Sequence, residues 1–295
     1  MDLIAIDDLS DAQIASILDA GQSWFDLNGS NSNGRTGLAG KLVFNLFYEN
    51  STRTLMSFAT AALRLGADVV TLPIEHSSVK KGETLEDTAR TLNAMRPDIL
   101  IIRHGQNGAP GIVADILHAP VINAGDGTNE HPTQALLDAL ALRVRLGGLE
   151  GLKVAICGDI KHSRVARSNA KLLPRLGAEV RLGGPPSLLP DDSPSLTVDE
   201  AIAGADVVMM LRVQRERLDE ELGDAPGEYL SRYGLTAERL ALAAPDALVM
   251  HPGPMNRGVE IADEVADDPQ RSIIQLQVEA GVAVRMACLE FVGAN

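Results

Sequence analysis

Only two cysteines, Cys157 and Cys288, occur among the 295 residues, and each lies inside an apolar stretch. A structural disulfide is therefore not expected, and a thiol nucleophile hardly more so, because buried cysteine commonly behaves as a small hydrophobe. Cations are scarce as well: 26 Lys and Arg stand against 40 Asp and Glu, a formal net charge of −14 at pH 7. Such a chain repels nucleic acid and anionic lipid, so neither is expected as a partner. No apolar run approaches the ~20 residues needed to span a bilayer. The segment Met1 to Asp8 has neither a basic region nor a long apolar run, so a secretory signal is not expected and cytoplasmic residence is. None of the six His forms H-x-x-x-H or H-E-x-x-H spacing, which speaks against a metal hydrolase and leaves no metal ligand set to name. The dinucleotide fingerprint G-x-G-x-x-G is also missing, so no nicotinamide cofactor is expected.

What is present is the composition of an ordinary globular enzyme, 45% hydrophobic and 22% charged. The length suits two α/β domains of roughly 130 to 150 residues each. Ser10 and Gln13 match a capping box, opening a helix with Ile14, Leu18 and Trp24 on its apolar side. A polar loop follows from Asn28 to Gly40. Within it, Gly29 to Thr36 resembles a P-loop, but Arg35 stands where Lys is required and a helix precedes it instead of a strand, so the match is coincidental.

From Leu42 onward, short apolar runs alternate with segments of helical period. Strands are predicted at Leu42 to Phe47, Asp68 to Leu72, Ile99 to Ile102 and Val121 to Asn123. Helices are predicted at Thr54 to Leu65, Thr84 to Met95, Pro110 to Leu117 and Pro132 to about Leu146. The loop Gly147 to Gly151 marks a boundary, after which strands recur at Val154 to Cys157, Val180 to Leu182, Val207 to Leu211 and Leu248 to Met250. Near-continuous apolar strands spaced by helices predict parallel sheets covered on both faces. The expected fold is α/β, two doubly wound parallel-sheet domains joined by helices, with residues 1–147 forming the first and 148–271 the second. A last helix, about Ser272 to Leu289 within 272–295, is expected to pack back on the first domain.

In such sheets ligands bind beyond the carboxyl ends of the strands, so the residues just after each strand matter most. Ser51-Thr52-Arg53-Thr54 follows the first strand and opens a helix, putting three hydroxyls and a guanidinium beside free backbone N–H groups. That combination favours a phosphate dianion over a plain cap. Arg103-His104 ends the third strand, and the fourth leads to His131-Pro132-Thr133-Gln134, where Pro132 suits a first helical turn and leaves His131 at its mouth. Arg103 and His131, following neighbouring strands, are expected to converge on the Ser51 to Thr54 site. The loop Ser77 to Thr84, with Lys80 and Lys81, reads on its own as solvated surface. In the second half, Arg164 follows the first strand, Arg212-Val213-Gln214 another, and the rigid turn His251-Pro252-Gly253-Pro254 the last.

Ser-Thr-Arg-Thr after the first strand and the later His-Pro-Thr-Gln together resemble the aspartate and ornithine carbamoyltransferase family, in signatures that run in the family's order from Phe47 to Ala287. The resemblance implies transfer of a carbamoyl group from carbamoyl phosphate to the amine of L-aspartate, as in de novo pyrimidine synthesis, with no cofactor. It implies that Ser51, Thr52, Arg53 and Thr54 hold the phosphate, that Thr54, Arg103 and His131 polarise the carbamoyl carbonyl, and that Gln134 accepts a hydrogen bond from its amide. Ser77 and Lys81 would reach a neighbouring subunit's active site, which implies a homotrimer with shared sites. Arg164, Arg212 and Gln214 would bind aspartate, and the backbone at Pro252 and Gly253 would bind the carbamoyl amide and the attacking amine. Regulatory or dihydroorotase-like chains stay open as partners. Two positions depart from the family pattern: Leu55 stands where an Arg is usual, and Val165 where some members have Thr. The alternatives are an ornithine or other amino-acid carbamoyltransferase, and a non-catalytic protein that binds small anions.

Overall fold

The computed structural model describes residues 1–27, 37–74, 77–191, 196–213, 222 and 227–294. The P-loop-like stretch and Gln214 lie outside them. The chain forms two compact units, Met1–Leu140 with Val278–Asn295, and Ala141–Gln277.

The first unit runs α1 (Asp11–Leu27), β1 (Leu42–Phe47), α2 (Thr52–Arg64), β2 (Asp68–Leu72), α3 (Leu85–Ala94), β3 (Ile99–His104), α4 (Ala109–Ala114), β4 (Val121–Asp126) and α5 (Pro132–Leu146), whose residues from Ala141 belong to the second unit. The second runs β5 (Lys153–Cys157), α6 (Arg164–Arg175), β6 (Glu179–Gly183), α7 (Val198–Ile202), β7 (Val207–Met210), α8 (Glu228–Tyr233), α9 (Ala237–Leu240), β8 (Leu248–Met250) and α10 (Asp263–Ala266). The last helix, α11 (Ile274–Gly293), begins in the second unit and from Val278 belongs to the first. Ser10 and Gln13 form the expected reciprocal cap of α1: the Ser10 N–H donates to Gln13 at 2.8 Å and the Gln13 N–H to Ser10 at 3.3 Å.

Each unit holds a four-stranded, all-parallel sheet, in the orders β2-β1-β3-β4 and β6-β5-β7-β8. The chain winds outward in one direction from β1 and in the other from β3, so the ends of these two strands flank a topological switch point; β5 and β7 do the same in the second unit. Helices cover both faces. Leu46, Ile99, Leu100, Ile101 and Ile102 are fully buried, as are Val154, Ile156, Val207 and Val208. At the second switch point the strand ends approach closely. Gly158 has φ +122°, and a Cβ there would meet the Leu211 carbonyl oxygen at 3.2 Å, so only glycine leaves room for the turn into α6. Strand β3 runs two residues beyond its expected end, because Phe47 pairs with Arg103 and His104 with Asp126.

Among the described residues no helix is long and apolar enough to cross a membrane. Cys157 and Cys288 are both completely buried, and burial pushes each thiol up to about 12. Almost no thiolate exists near neutrality, and the thiolate is the reactive form. We expect neither cysteine to react with a chromogenic thiol reagent in the native protein, and both to react after denaturation; rapid labelling of the native chain would contradict this packing.

Candidate active site

At the carboxyl edge of the first sheet, Ser51 is the N-cap of α2, with extended backbone (φ −157°, ψ 95°) and a hydroxyl that accepts the Thr54 N–H at 3.3 Å. Thr52 and Arg53 are exposed in the first turn, while Thr54 is buried. The guanidinium of Arg103, at the end of the adjacent strand β3, donates to Thr54 Oγ1 at 3.5 Å and to the Ala124 carbonyl at 3.4 Å. Its Nε lies 3.4 Å from a Glu49 carboxylate oxygen. Three elements thus fix one cation beside a helix N-terminus, which itself favours negative charge. His104, the other half of the Arg-His pair, packs edge-on against Tyr48 with ring centroids 4.4 Å apart and accepts the Gln106 N–H at 2.9 Å through Nδ1. Burial lowers its pKa, so Arg103 alone of the pair carries charge near neutrality.

His131 reaches the mouth of α5 through a turn built around the fully buried Asp126. One Asp126 oxygen accepts Asn123 Nδ2 at 2.9 Å and the Glu130 N–H at 3.1 Å; the other accepts the Gly108 N–H at 2.7 Å and Asn129 Nδ2 at 3.1 Å. Gly127, at φ +46°, passes so close that a Cβ would lie 2.9 Å from the Gly105 carbonyl. Glu130 is itself buried and accepts the Ile6 N–H at 3.0 Å. Beyond the turn His131 is 3% exposed, and Gln134 lies one helical turn further on, its Nε2 donating to Asp138 at 2.9 Å.

Ser77 and Lys81 follow the edge strand β2. Ser77 caps a short 3-10 helix, Ser78–Lys81: its hydroxyl accepts the Val79 N–H at 3.3 Å and donates to the Ile74 carbonyl at 2.9 Å. Lys81 is exposed at the end of that helix, before Gly82.

In the second unit, the candidate side chains again stand beyond the carboxyl ends of neighbouring strands. Arg164 is the first residue of α6, whose cap Ser163 accepts the Ala166 N–H at 3.1 Å. The buried Asp159 braces the approach by pairing with His162 Nδ1 at 2.8 Å. Arg212 is exposed directly after β7. After β8, His251 Nδ1 accepts the Gly253 N–H at 2.9 Å, so Nε2 carries the ring proton and donates to the buried Glu260 at 3.2 Å. Burial of both partners fixes the Pro252-Gly253 turn, in which the Gly253-Pro254 peptide is cis. Asn256 then donates to the Val213 carbonyl at 2.7 Å, tying this turn to the segment that carries Arg212.

Asp126, Glu130, Asp159, Asn256 and Glu260 did not stand out in the sequence, yet they hold the named residues in place. The only local signal was a Gly beside Asp126 and beside Asp159; Glu130, Asn256 and Glu260 had none. A helix N-terminus braced by arginine, as in the first unit, is suited to holding a small anion, and the second unit carries further arginines beyond its own strands. The chain is a member of the aspartate/ornithine carbamoyltransferase family: the model of the carbamoyl-P binding domain matches residues 1–144, and that of the Asp/Orn binding domain matches residues 150–292. It is 57% identical over 294 residues to the aspartate carbamoyltransferase catalytic subunit of Granulibacter bethesdensis, covering 98% of this chain and 93% of that one. Among solved structures it resembles the Trypanosoma cruzi aspartate transcarbamoylase in complex with carbamoyl phosphate and aspartate, with TM-score 0.86, 32% identity, and 98% and 95% of the two chains covered. It also resembles the ornithine carbamoyltransferase from Pyrococcus furiosus, with TM-score 0.88, 27% identity, and 100% and 97% covered.

Asp126→Ala leaves the buried Glu130 N–H without its acceptor, at ~1–3 kcal/mol, and also removes the partner of the partly buried Gly108 N–H. Chemical denaturation of that variant is expected to give a midpoint well below the wild type; an unchanged midpoint would remove Asp126 as the organiser of this turn.

Proposed function

We propose that this chain transfers the carbamoyl group of carbamoyl phosphate to the amine of L-aspartate, giving N-carbamoyl-L-aspartate and phosphate, an early step of pyrimidine synthesis. The observation that carries the chemistry is the Arg103 to Thr54 contact beside the Ser51-capped N-terminus of α2. Ser51, Thr52, Arg53 and Thr54 supply donors for the phosphate, a geometry suited to a dianion at a helix N-terminus. Thr54, Arg103 and His131 donate to the carbonyl oxygen as it becomes an oxyanion, and Gln134 accepts from the carbamoyl amide. The neutral amine attacks the carbonyl carbon, the bond from that carbon to the bridging oxygen breaks, and the departing phosphate takes the amine's proton. No covalent intermediate is needed; fixed donors and the alignment of two anions lower the barrier.

Aspartate is favoured over ornithine by charge. Its two carboxylates call for at least two cations, and Arg164, Arg212 and Lys81 offer three, with Gln214 two residues after Arg212. Ornithine has one carboxylate and a distal ammonium that wants an acidic partner. The high identity to aspartate carbamoyltransferase catalytic subunits supports the same choice. The backbone around Pro252 and Gly253, held by His251 and Glu260, is suited to receive the amide and the amine.

The reading includes a homotrimer in which Ser77 and Lys81 complete a neighbour's site. Met56 and Leu63, seven residues apart on α2, are 58% and 62% exposed, and Val70 on the edge strand β2 is 50% exposed, an apolar surface that a second copy could cover. The net charge of −14 and two reduced, buried cysteines fit a cytoplasmic enzyme.

Purified protein is expected to release phosphate from carbamoyl phosphate when L-aspartate is added, with ornithine giving no comparable citrulline, and Arg53→Ala is expected to lower kcat/KM by about 10² to 10³. Equal use of ornithine, or a near-normal Arg53 variant, refutes the assignment. If sites are shared, mixing Lys81→Ala with Arg53→Ala subunits restores part of the activity that each lacks alone, measured on verified mixed trimers; no recovery shows that Lys81 does not act across chains.

A further inference from the structure

Gln134 is an amide, and an amide has two ends of nearly equal shape: a carbonyl oxygen that accepts and an NH₂ that donates. Which end meets a ligand is decided by what holds the other. Here the partner is Asp138, one turn along α5, which accepts a hydrogen bond from Gln134 Nε2 at 2.9 Å and is itself fully buried. Asp138 also interacts electrostatically with Arg285 of α11, a buried guanidinium that donates to the Gly281 carbonyl at 3.3 Å and lies 5.0 Å over the ring of Phe58 on α2. A carboxylate accepts and does not donate, and the Asp138 carboxylate takes the NH₂ end of Gln134, which leaves the carbonyl oxygen for the ligand.

We infer that Asp138 is a positioning and specificity residue: by fixing the orientation of the Gln134 amide, it makes the site prefer an acyl phosphate whose carbonyl carries NH₂ over its methyl isostere. The inference rests on the proposed function and assigns to it a discriminating element in a residue that touches no substrate. With Asp138 in place, a carbamoyl NH₂ meets an acceptor. With Asn at this position the partner both donates and accepts, the Gln134 amide can turn over, and NH₂ can meet NH₂. A methyl group has no stake in either orientation.

The test measures dissociation constants of carbamoyl phosphate and acetyl phosphate for the wild type, Asp138→Asn, Gln134→Met and the double variant. Wild-type protein binds carbamoyl phosphate more tightly. In Asp138→Asn that preference falls about tenfold, the worth of one hydrogen bond, while acetyl phosphate affinity stays within about twofold. Gln134→Met loses the same preference, and adding Asp138→Asn to it changes nothing further, because the second residue acts through the first. If Asp138→Asn gives no folded protein, Asp138→Ser, whose hydroxyl also both donates and accepts, takes its place. Equal weakening of both ligands marks a merely structural role and overturns the inference, as does an unchanged preference. Failure of the wild type to bind carbamoyl phosphate at all overturns the proposed function itself, a result distinct from either.

Discussion

A parallel strand buried on both faces most readily carries charged side chains where it ends. Strand β3 shows the rule in six residues: Ile99, Leu100, Ile101 and Ile102 have no exposed surface, and then come Arg103 and His104. Because all strands of a sheet point the same way, every such ending lies on one edge, and the strand order decides which endings are neighbours. β1 and β3 lie side by side in the first sheet, so the Ser51 cap and Arg103 meet although 52 residues of chain separate them. Burial of the strands and clustering of the cations are one constraint seen from two sides.

Strand β4 tests that rule by breaking it. All six residues are buried, and two of them, Asn123 and Asp126, are polar. Their desolvation is offset by a closed set of hydrogen bonds: Asn123 donates to the Ile4 carbonyl at 2.8 Å and to Asp126, and accepts the Gly125 N–H at 2.8 Å. The set leaves β4 and the mouth of α5 in one rigid arrangement. His131 therefore follows a turn closed by hydrogen bonds to Asp126. In the second unit, the His251 to Glu260 pair performs the same task for a turn with two prolines.

The sheets were legible from sequence because apolar runs of strand length stand out between helical periods, and β1, β2 and β8 begin and end where the pattern does. The extra residues of β3 and β4 were not, since charged and Gly-containing ends look like loop until the neighbouring strand pairs with them. Of the candidate site, the cations and the cap hydroxyls were named because they end or follow strands. The residues that hold them could not. Glu130 serves an N–H 124 positions away and Asn256 a carbonyl 43 positions away, distances at which local pattern carries no information. Asp138 falls four residues from Gln134 on a helix, a spacing that was visible, but its meaning needed the burial of both side chains and a guanidinium from the far end of the chain.

The first unit is assembled from two stretches of the chain with the whole second unit between them. Leu3 pairs with the Val121 segment, the Trp24 indole donates to Glu290 at 2.7 Å, and Gly21 packs against Val284 of α11. The first unit closes only when the stretch from Val278 returns to Met1–Leu140, whereas the second is one uninterrupted stretch that needs no distant segment. Removing α11 would strip Arg285 from over the Phe58 ring and Val284 from beside Gly21, so the core of the first unit depends on a segment made after the whole of the second.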